Sequence, residues 1–295
     1  MKSENETAPD TRPFRLPPAL AAIRGNKALL FLLAGALGGA AGSAIAEFTP
    51  GGGRDSSPLV LIIATGLWFA ISASVLATAL FAAGEWHQRR NLRPRPVQKI
   101  LLFGALAGLI AGAAAQAAYT VRIGSPAFHA IVVRTVCWAL MGALLGALLS
   151  RPVPNLGLLR GLIAGAAGGG LGGIGFLMVG RVLPDAIGRL VGLGTLGLAL
   201  GLAMIVVEKF FREASLEVIW APNETTNFNL GAQAVTIGGG EDHIFVRGLP
   251  HHFASIVFAN GLVEYIETAT GKRTPLKDGS RLEIGRLNLV IHAAK

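Results

Sequence analysis

The chain has 295 residues, of which 52% are hydrophobic and only 15% charged, and its mean hydropathy is positive. This composition argues against an ordinary soluble globular protein. The net charge is +9, but the cations cluster in loops beside apolar segments, which favours membrane lipids over nucleic acid as the partner. The single cysteine, Cys137, lies within an apolar segment, which excludes a disulfide framework and a cysteine-based metal site.

Six apolar segments follow a polar N-terminal stretch, and each is long enough to cross the ~30 Å hydrocarbon core of a bilayer. We expect residues 1–26 to form a flexible cytoplasmic tail and residues 27–212 to form a six-helix membrane domain. The predicted spans are 28–46, 58–84, 100–121, 127–150, 156–179 and 186–208. The first span ends in Ala44-Ile45-Ala46, which is also typical of a signal-peptidase site, so a cleaved signal peptide is the competing interpretation.

The distribution of basic residues between the loops predicts how the spans are oriented. The loops after the first and third spans carry only Arg54 and Arg122, whereas the loop after the second span is strongly basic. Its cations are Arg89, Arg90, Arg93, Arg95 and Lys99. By the positive-inside rule this loop is cytoplasmic. Six spans then place both termini on the cytoplasmic side of a cell (inner) membrane.

A phrase of small residues occurs three times, as AGALGG at 34–39, AGLIAG at 107–112 and AGAAGG at 164–169. Each copy places two glycines four residues apart on one helix face, where a second backbone can approach closely. These glycines are Gly35, Gly39, Gly108, Gly112, Gly165 and Gly169. Because a helix poorer in glycine follows each copy, the sequence predicts three hairpin repeats. We expect a bundle with pseudo-threefold character, whose glycine-rich helices pack against one another or toward a central axis.

Polar side chains within the predicted spans are candidates for function, because burying one in lipid costs several kcal/mol unless it is paired or hydrated. Arg134 lies about 10 Å into the fourth span at the helical rise of 1.5 Å per residue. It either lines a polar path, or pairs with Glu47 at the end of the first span, or extends its side chain to the lipid headgroups. Gln116 in the third span either makes a hydrogen bond within the bundle, which we expect, or contacts a ligand.

After the last span, the sequence changes to short alternating strands separated by turn residues. Asn260-Gly261 predicts a two-residue hairpin turn, because both residues tolerate positive φ, and residues 277–280 predict a second turn. We expect residues 213–295 to form a small all-β sandwich on the cytoplasmic side of the membrane.

The order of motifs between residues 216 and 292 resembles a forkhead-associated (FHA) domain. That family has a strand ending in I-G-R, an acidic-apolar strand, an S-x-x-H-A-x-I segment and a final L-x-x-G-D followed by an apolar strand. The corresponding segments here are Val235-Thr236-Ile237-Gly238, residues 241–246, Ala254-Ser255-Ile256, Leu282-Glu283-Ile284-Gly285 and residues 287–291. The resemblance implies an FHA-like sandwich and a role in binding proteins.

The sequence departs from the FHA pattern at the loop positions that bind phosphothreonine. The family's arginine falls on Gly239, its serine on Pro250 and its motif histidine on Phe253. Neither Gly239 nor Pro250 offers a side-chain hydrogen bond to a phosphate. The resemblance therefore implies a degenerate domain, and phosphopeptide binding through other residues is the weaker alternative.

Basic residues elsewhere in the same domain offer a second mode of protein binding. Arg247, Lys272 and Arg273 form either a basic surface for an acidic partner or ordinary solvated loops. The sequence does not decide between these two interpretations.

The sequence predicts no enzyme, no cofactor and no metal site. Asp242, His243, His251 and His252 are of types that bind metals, but their spacing matches no standard ligand pattern, so we expect polar loop surface. No catalytic triad or paired carboxylates occur at a recognisable spacing.

These observations favour a membrane scaffold that presents a degenerate FHA-like domain to a protein partner. Assembly with further copies of the chain through the bundle is also open. The alternative is a small channel or transporter with the sandwich as its regulatory domain.

Overall fold

The computed structural model describes residues 17–50, 56–121, 124–151, 156–179, 181–210, 214–221, 224–285 and 287–293. Within them the chain forms seven helices followed by nine strands. Residues 1–16 of the predicted tail, the loop residues Arg54 and Arg122, and the predicted boundary at 212–213 lie outside these ranges.

Six of the seven helices are long and apolar enough to cross a bilayer, as expected of a multi-pass membrane protein. Helices α2 to α7 span Lys27–Ala46, Pro58–His87, Pro94–Thr120, Pro126–Ser150, Leu158–Val179 and Asp185–Phe210. Most extend beyond the predicted spans because a helix continues past the bilayer into polar turns. Helix α4, for example, begins at Pro94, whose fixed φ suits the first helical turn.

Helix α1, Pro18–Gly25, lies in the segment that we expected to be a flexible tail. For these residues the prediction is wrong. A proline at the start, three alanines and Arg24 in the last turn favour this short helix. The carbonyl oxygen of Arg24 also accepts a hydrogen bond from Nδ1 of His87 in α3, at 2.8 Å, which fixes α1 against the bundle.

The six membrane helices form a closed ring in which each packs against the helix before and after it, and α7 packs against α2. Because the chain reverses direction at each connection, the starts of α2, α4 and α6 lie at one end of the ring with the ends of α3, α5 and α7. The strands follow α7, so we call this the sandwich end, and we call the opposite end the far end.

The repeated glycines pack against the neighbouring hairpin. The contacts are Gly35 with Gly197, Gly39 with Leu193, Gly108 and Gly112 with Phe69, Gly165 with Gly142 and Gly169 with Trp138. Glycines of α2 thus face α7, those of α4 face α3, and those of α6 face α5. At Gly35, Gly108 and Gly165 an added Cβ would overlap a backbone carbonyl oxygen of the facing helix. Small residues permit this approach of two backbones.

Large side chains, and not the glycine-rich helices, fill the interior of the ring. Helix α5 contacts both α3 and α7 across the ring. The buried side chains there include Leu76, Leu80, Met141, Leu145, Leu196 and Leu200. The glycine-rich helices alternate with α3, α5 and α7 around the ring, so they do not pack mainly against one another, and large side chains occupy the central axis. Both expected arrangements of the glycine-rich helices are therefore wrong. Interiors need volume, which glycine cannot supply.

The C-terminal region contains two β-sheets around one hydrophobic core. Strands β1 to β9 span Ala214–Ala221, Glu224–Leu230, Val235–Gly238, Ile244–Phe245, Ala254–Ala259, Leu262–Glu267, Arg273–Leu276, Arg281–Ile284 and Leu287–Ala293. The sheet orders are β2-β1-β9-β8 and β4-β3-β5-β6-β7. All pairs are antiparallel except β3 with β4. Alternate residues such as Leu216, Ile237, Ile256 and Leu289 are buried between the sheets, so we call this region the sandwich.

The predicted turn at Asn260-Gly261 is confirmed. Both residues have positive φ, at 54° and 77°, and they connect Ala259 to its paired residue Leu262. Strand β7 was not predicted, because Pro275 and the flanking charges give it a weak local signal. Its position at the edge of the sheet allows the proline, whose missing N–H needs no partner there.

Candidate functional site

A cavity of about 530 Å³ lies at the far end of the bundle and receives side chains from all six membrane helices or their ends. The three predicted intramembrane polar residues, Glu47, Gln116 and Arg134, all line it. A volume of this size is ordinary for a small-molecule site. Sequence reasoning identified each residue separately, whereas the ring of helices brings them together.

The partner of Glu47 is Arg189, not Arg134. Arg189 donates from Nε and Nη2 to the two carboxylate oxygens of Glu47, at 2.6 and 2.7 Å. Because α7 packs against α2, Arg189 in the first turns of α7 reaches the end of α2. These hydrogen bonds hold the pKa of Glu47 below its usual value.

Arg134 contacts an aromatic phenol and no carboxylate among the residues that the structure describes. Its Nε donates to the hydroxyl of Tyr119 at 2.6 Å, and its guanidinium carbon lies 5.9 Å from the centre of the same ring. In the part of the chain that the structure describes, the guanidinium of Arg134 thus lines the cavity without forming an ion pair. Gln116 accepts a hydrogen bond from Thr65 at 3.3 Å, which joins α4 to α3.

Aromatic rings form the deeper wall of the cavity. Phe69 stacks on Trp138 with ring centres 4.8 Å apart, and Trp138 contacts Phe176 at 5.3 Å. Below them, the fully buried Leu76 and Leu145 close the interior toward the sandwich end. The cavity therefore ends inside the bundle. It combines an apolar floor with a cationic group at the rim, which suits a ligand with an apolar body and one anionic head.

The sandwich contacts the bundle at the turn after β3. Arg93, which precedes α4, forms an ion pair with Glu241 and donates from Nη2 to the carbonyl oxygen of Gly240 at 2.7 Å. A cavity of about 270 Å³ lies beside this contact, between the loop that precedes α4 and the sandwich. The contact joins the predicted basic loop to the predicted FHA-like loop.

A second contact joins the end of α3 to strands β1 and β2. Thr226 donates to the carbonyl oxygen of His87 at 3.4 Å, and the indole of Trp220 donates to Thr226 at 3.0 Å. The guanidinium of Arg89 lies 5.1 Å from the centre of the Trp220 ring. Burial, with the nearby charge of Arg24, lowers the pKa of Arg89 to about 10.

The three positions that replace the FHA phosphopeptide residues offer no side-chain donor. The N–H of Gly239 donates to the carbonyl oxygen of Pro250 at 2.9 Å, and Phe253 packs against the sandwich core. Gly239 and Pro250 do lie near each other, as the resemblance implies. Their contact joins the turn after β3 to the segment before β5 and leaves no side-chain donor for a phosphate.

The predicted basic surface is divided between two edges of one sheet. Arg247 follows β4, whereas Lys272 and Arg273 lie at β7, the opposite edge strand. Four strand spacings, about 19 Å in total, separate these edges. All three side chains are exposed, and Arg273 lies 3.3 Å from Glu264.

One cluster of side chains was underestimated at the level of the sequence. Asp242 is only 1% exposed, and its carboxylate lies beside the rings of His251 and His252. The potential ligand atoms of the three residues all lie within 4.8 Å of one another. Of the four candidates, only His243 lies apart, since its Nδ1 is engaged by Thr236. Tertiary pairing of β3 with β4 and β5 creates the cluster, which spacing alone does not reveal.

Neither protein-family models nor curated proteins nor solved structures match this chain.

Proposed function

We propose that the protein is a non-enzymatic membrane scaffold, in which the bundle holds an FHA-like sandwich at the cytoplasmic face of the inner membrane for binding a protein partner. The observation that carries the proposal is the geometry of the junction. The turn after β3 is fixed to the bundle through Arg93 and Glu241, while the opposite edge, with Lys272 and Arg273, is exposed.

The positions of the motif segments support the FHA-like interpretation. Ile237 and Gly238 end β3, Ala254 begins β5, and Ile284 ends β8. Gly285 then turns with a φ of 62° before β9. These segments thus lie at the starts and ends of strands, and the remaining segment, residues 241–246, contains β4.

The chemistry of the β7 edge favours an acidic partner that binds through side chains. Pro275 removes an N–H from this edge strand, which discourages the addition of a strand from another chain. Lys272 and Arg273 supply positive charge, which accelerates encounter with an acidic surface and discriminates against basic ones.

Affinity capture from gently solubilised membranes tests the proposal. The baits are the full chain, a chain ending at residue 212, and the full chain with Lys272→Glu and Arg273→Glu. The matched control is Arg281→Glu, which reverses an exposed charge on β8 in the other sheet. We expect a defined protein to be retained by the full chain and the control, and to be lost from the other two. Equal capture by all four baits excludes this role for the sandwich.

The orientation has its own test. Cys137 is the only cysteine, so a Cys137→Ser background permits single cysteines to be placed at exposed sites such as Lys272 and Phe48. We expect a membrane-impermeant thiol reagent to label intact cells only at position 48. Labelling at position 272 instead places the sandwich outside the cell.

A second candidate function, a small channel or transporter regulated by the sandwich, is favoured by the cavity at the far end. Arg134 forms no ion pair with a described residue and lies beside an aromatic wall, an arrangement suited to an anionic solute. Flux of organic and inorganic anions into vesicles that contain the wild type, Arg134→Ala or Arg134→Lys distinguishes the two. Flux that is lost in Arg134→Ala and retained in Arg134→Lys establishes transport. Equal flux in protein-containing and empty vesicles supports the scaffold.

Phosphothreonine recognition has the least support, because Gly239, Pro250 and Phe253 provide no side-chain donors. Equal binding of a phosphothreonine peptide and its unphosphorylated form by the full chain removes this alternative.

A further inference from the structure

A fully buried carboxylate oxygen in the sandwich lacks a hydrogen bond. Asp242 is 1% exposed, and its Oδ2 accepts the backbone N–H of His252 at 2.7 Å. Its Oδ1 makes no hydrogen bond with any residue that the structure describes. The oxygen instead lies in ion-pair range of two neighbouring imidazoles, at an alignment that makes no hydrogen bond, so its lone pairs remain available to a cation.

Two imidazole nitrogens face the same oxygen. Nδ1 of His252 lies 2.5 Å from Oδ1 of Asp242, and Nδ1 of His251 lies 3.4 Å from it. The two histidine side chains are 51% and 58% exposed, whereas that of Asp242 is fully buried. The cluster therefore has a buried anionic side and an open side that a small cation can enter.

We propose that Asp242, His251 and His252 form a binding site for a divalent transition metal, with Zn²⁺ as the preferred ion. Two imidazoles and one carboxylate are a donor set that Zn²⁺ accepts, whereas Mg²⁺ and Ca²⁺ prefer oxygen alone. In a tetrahedral site with bonds of 2.0–2.2 Å, donor atoms lie about 3.4 Å apart. The distance from Nδ1 of His251 to Oδ1 of Asp242 is already 3.4 Å. Nδ1 of His252 lies 2.5 Å from the same oxygen, so its ring has to move away by about 0.9 Å to reach this separation.

The backbone around the cluster maintains the arrangement of the three ligands. His252 has a φ of 52°, a left-handed conformation that residues other than glycine seldom adopt. Gly238 lies so close that an added Cβ would be 2.5 Å from Oδ2 of Asp242 and 2.5 Å from the carbonyl oxygen of Pro250. The hydrogen bond from His252 to Oδ2 orients the carboxylate so that Oδ1 is directed to the imidazoles.

The ion would join two loops of the sandwich next to the bundle. Asp242 follows the β3 turn, whose Glu241 pairs with Arg93, and the histidines precede β5. Zinc at this position holds the turn at 239–242 in the conformation in which Glu241 pairs with Arg93. The site is independent of the partner proposed for the β7 edge, so either proposal can fail without the other.

Metal titration of the full-length protein tests the site. The protein is purified in detergent with an affinity tag that contains no histidine, treated with a chelator, and titrated with Co²⁺, whose visible absorption reports tetrahedral coordination. We expect one Co²⁺ per chain, displacement by Zn²⁺, and a higher Tm in Zn²⁺ than in the chelator.

Ligand variants distinguish this site from adventitious binding. His251→Asn and His252→Asn remove one imidazole each from an exposed position, and asparagine tolerates the positive φ at 252. We expect each to weaken Co²⁺ binding at least ~10-fold. The matched control is His292→Asn, which removes an exposed histidine that pairs with Glu217 in the same sandwich. Absent Co²⁺ absorption, or equal affinity in the wild type and both ligand variants, overturns the proposal and leaves an Asp–His ion pair.

Discussion

Most glycines within the helices of the bundle lie where a neighbouring backbone passes. In the sandwich, six glycines with positive φ lie at turns, and four of these have no atom within 4 Å of an added Cβ. Gly165 is an example of the first kind, since a Cβ there would overlap a carbonyl oxygen of α5. Gly261 is an example of the second, with a φ of 77° and no atom within 4 Å of an added Cβ. The bundle uses glycine because it has no side chain to obstruct a neighbouring backbone, whereas the sandwich uses glycine because it adopts positive φ without strain.

This difference explains why the two regions follow different rules of sequence. A helix that crosses a bilayer gains no hydrophobic driving force from association, so close contact between backbones supplies the packing energy. The sandwich is stabilised by burial of alternate apolar residues, and its glycines serve the reversals between strands.

Among glycine-to-alanine changes, the largest loss of stability is expected in the bundle. Gly165→Ala places a Cβ against the carbonyl oxygen of Gly142, and a backbone cannot move aside as a flexible side chain can. We expect the free energy of unfolding to fall by roughly 1–3 kcal/mol. Thermal unfolding in detergent measures it.

The matched control is Gly170→Ala on the same helix, where the nearest atom to an added Cβ is the Cβ of Ala139 at 3.8 Å. This is an ordinary contact, and alanine favours a helix over glycine, so we expect no loss of stability. A loss in Gly170→Ala as large as that in Gly165→Ala contradicts the proposed role of backbone contact.

Gly261→Ala in the sandwich is expected to have a smaller effect, for a different reason. The space is open, but alanine adopts a positive φ only with strain of about 1 kcal/mol. We expect faster hydrogen exchange in strands β5 and β6 of the full-length protein, with no change in the bundle.

Gly261→Asn separates conformational strain from steric overlap. Asparagine is larger than alanine but tolerates the left-handed region, so exchange should be closer to that of the wild type. If the asparagine variant exchanges faster than the alanine variant, volume and not φ governs this turn.

The sequence predicted the features that depend on local chemistry. Asn260-Gly261 specifies its turn through the dihedral preferences of two adjacent residues, and the thrice-repeated phrase indicates close packing wherever it occurs. The sequence did not predict which helix each phrase faces. Gly35, for example, can pack against any helix that comes close, and it faces α7 because α7 packs against α2 where the ring closes. Helix α1 was missed because eight residues are too few for a clear periodic signal.

The polar sites show the same limit. Glu47, Gln116 and Arg134 were recognised by their cost in a membrane, but Arg189, the partner of Glu47, is 142 residues away in sequence. Asp242 resembled a loop residue until the pairing of β3 with β4 and β5 placed it beside two histidines. Residue type is local information, whereas partnership depends on the fold.

The ion pair of Arg93 with Glu241, which joins the two regions, is expected to contribute less to stability than Gly165 or Gly261. The side chains of Arg93 and Glu241 are 42% and 73% exposed, and exposed pairs contribute about 0.2–1 kcal/mol. Arg93→Ala should therefore leave the global Tm almost unchanged while hydrogen exchange of the turn at 239–242 rises. The control is Arg95→Ala, an exposed arginine in the first turn of α4, for which we expect no change at the turn at 239–242. An unchanged exchange rate at 239–242 in Arg93→Ala contradicts the docking role of the pair.

The smallest expected effect is the pH dependence of the ion pair at the far end. Hydrogen bonds from Arg189 hold the pKa of Glu47 in the folded protein below its value in the unfolded chain, about 4.3. The pair therefore stabilises the bundle above this pH, and its contribution disappears as the pH falls through the folded-state pKa. The Tm of Glu47→Gln should lie below that of the wild type at pH 7, and the two should converge in acid. Glu283→Gln changes an exposed carboxylate of β8 that makes no ion pair among the described residues, and it should show no such convergence. A Tm difference for Glu47→Gln that is constant from neutral to acidic pH means that the pair does not stabilise the bundle through its charge.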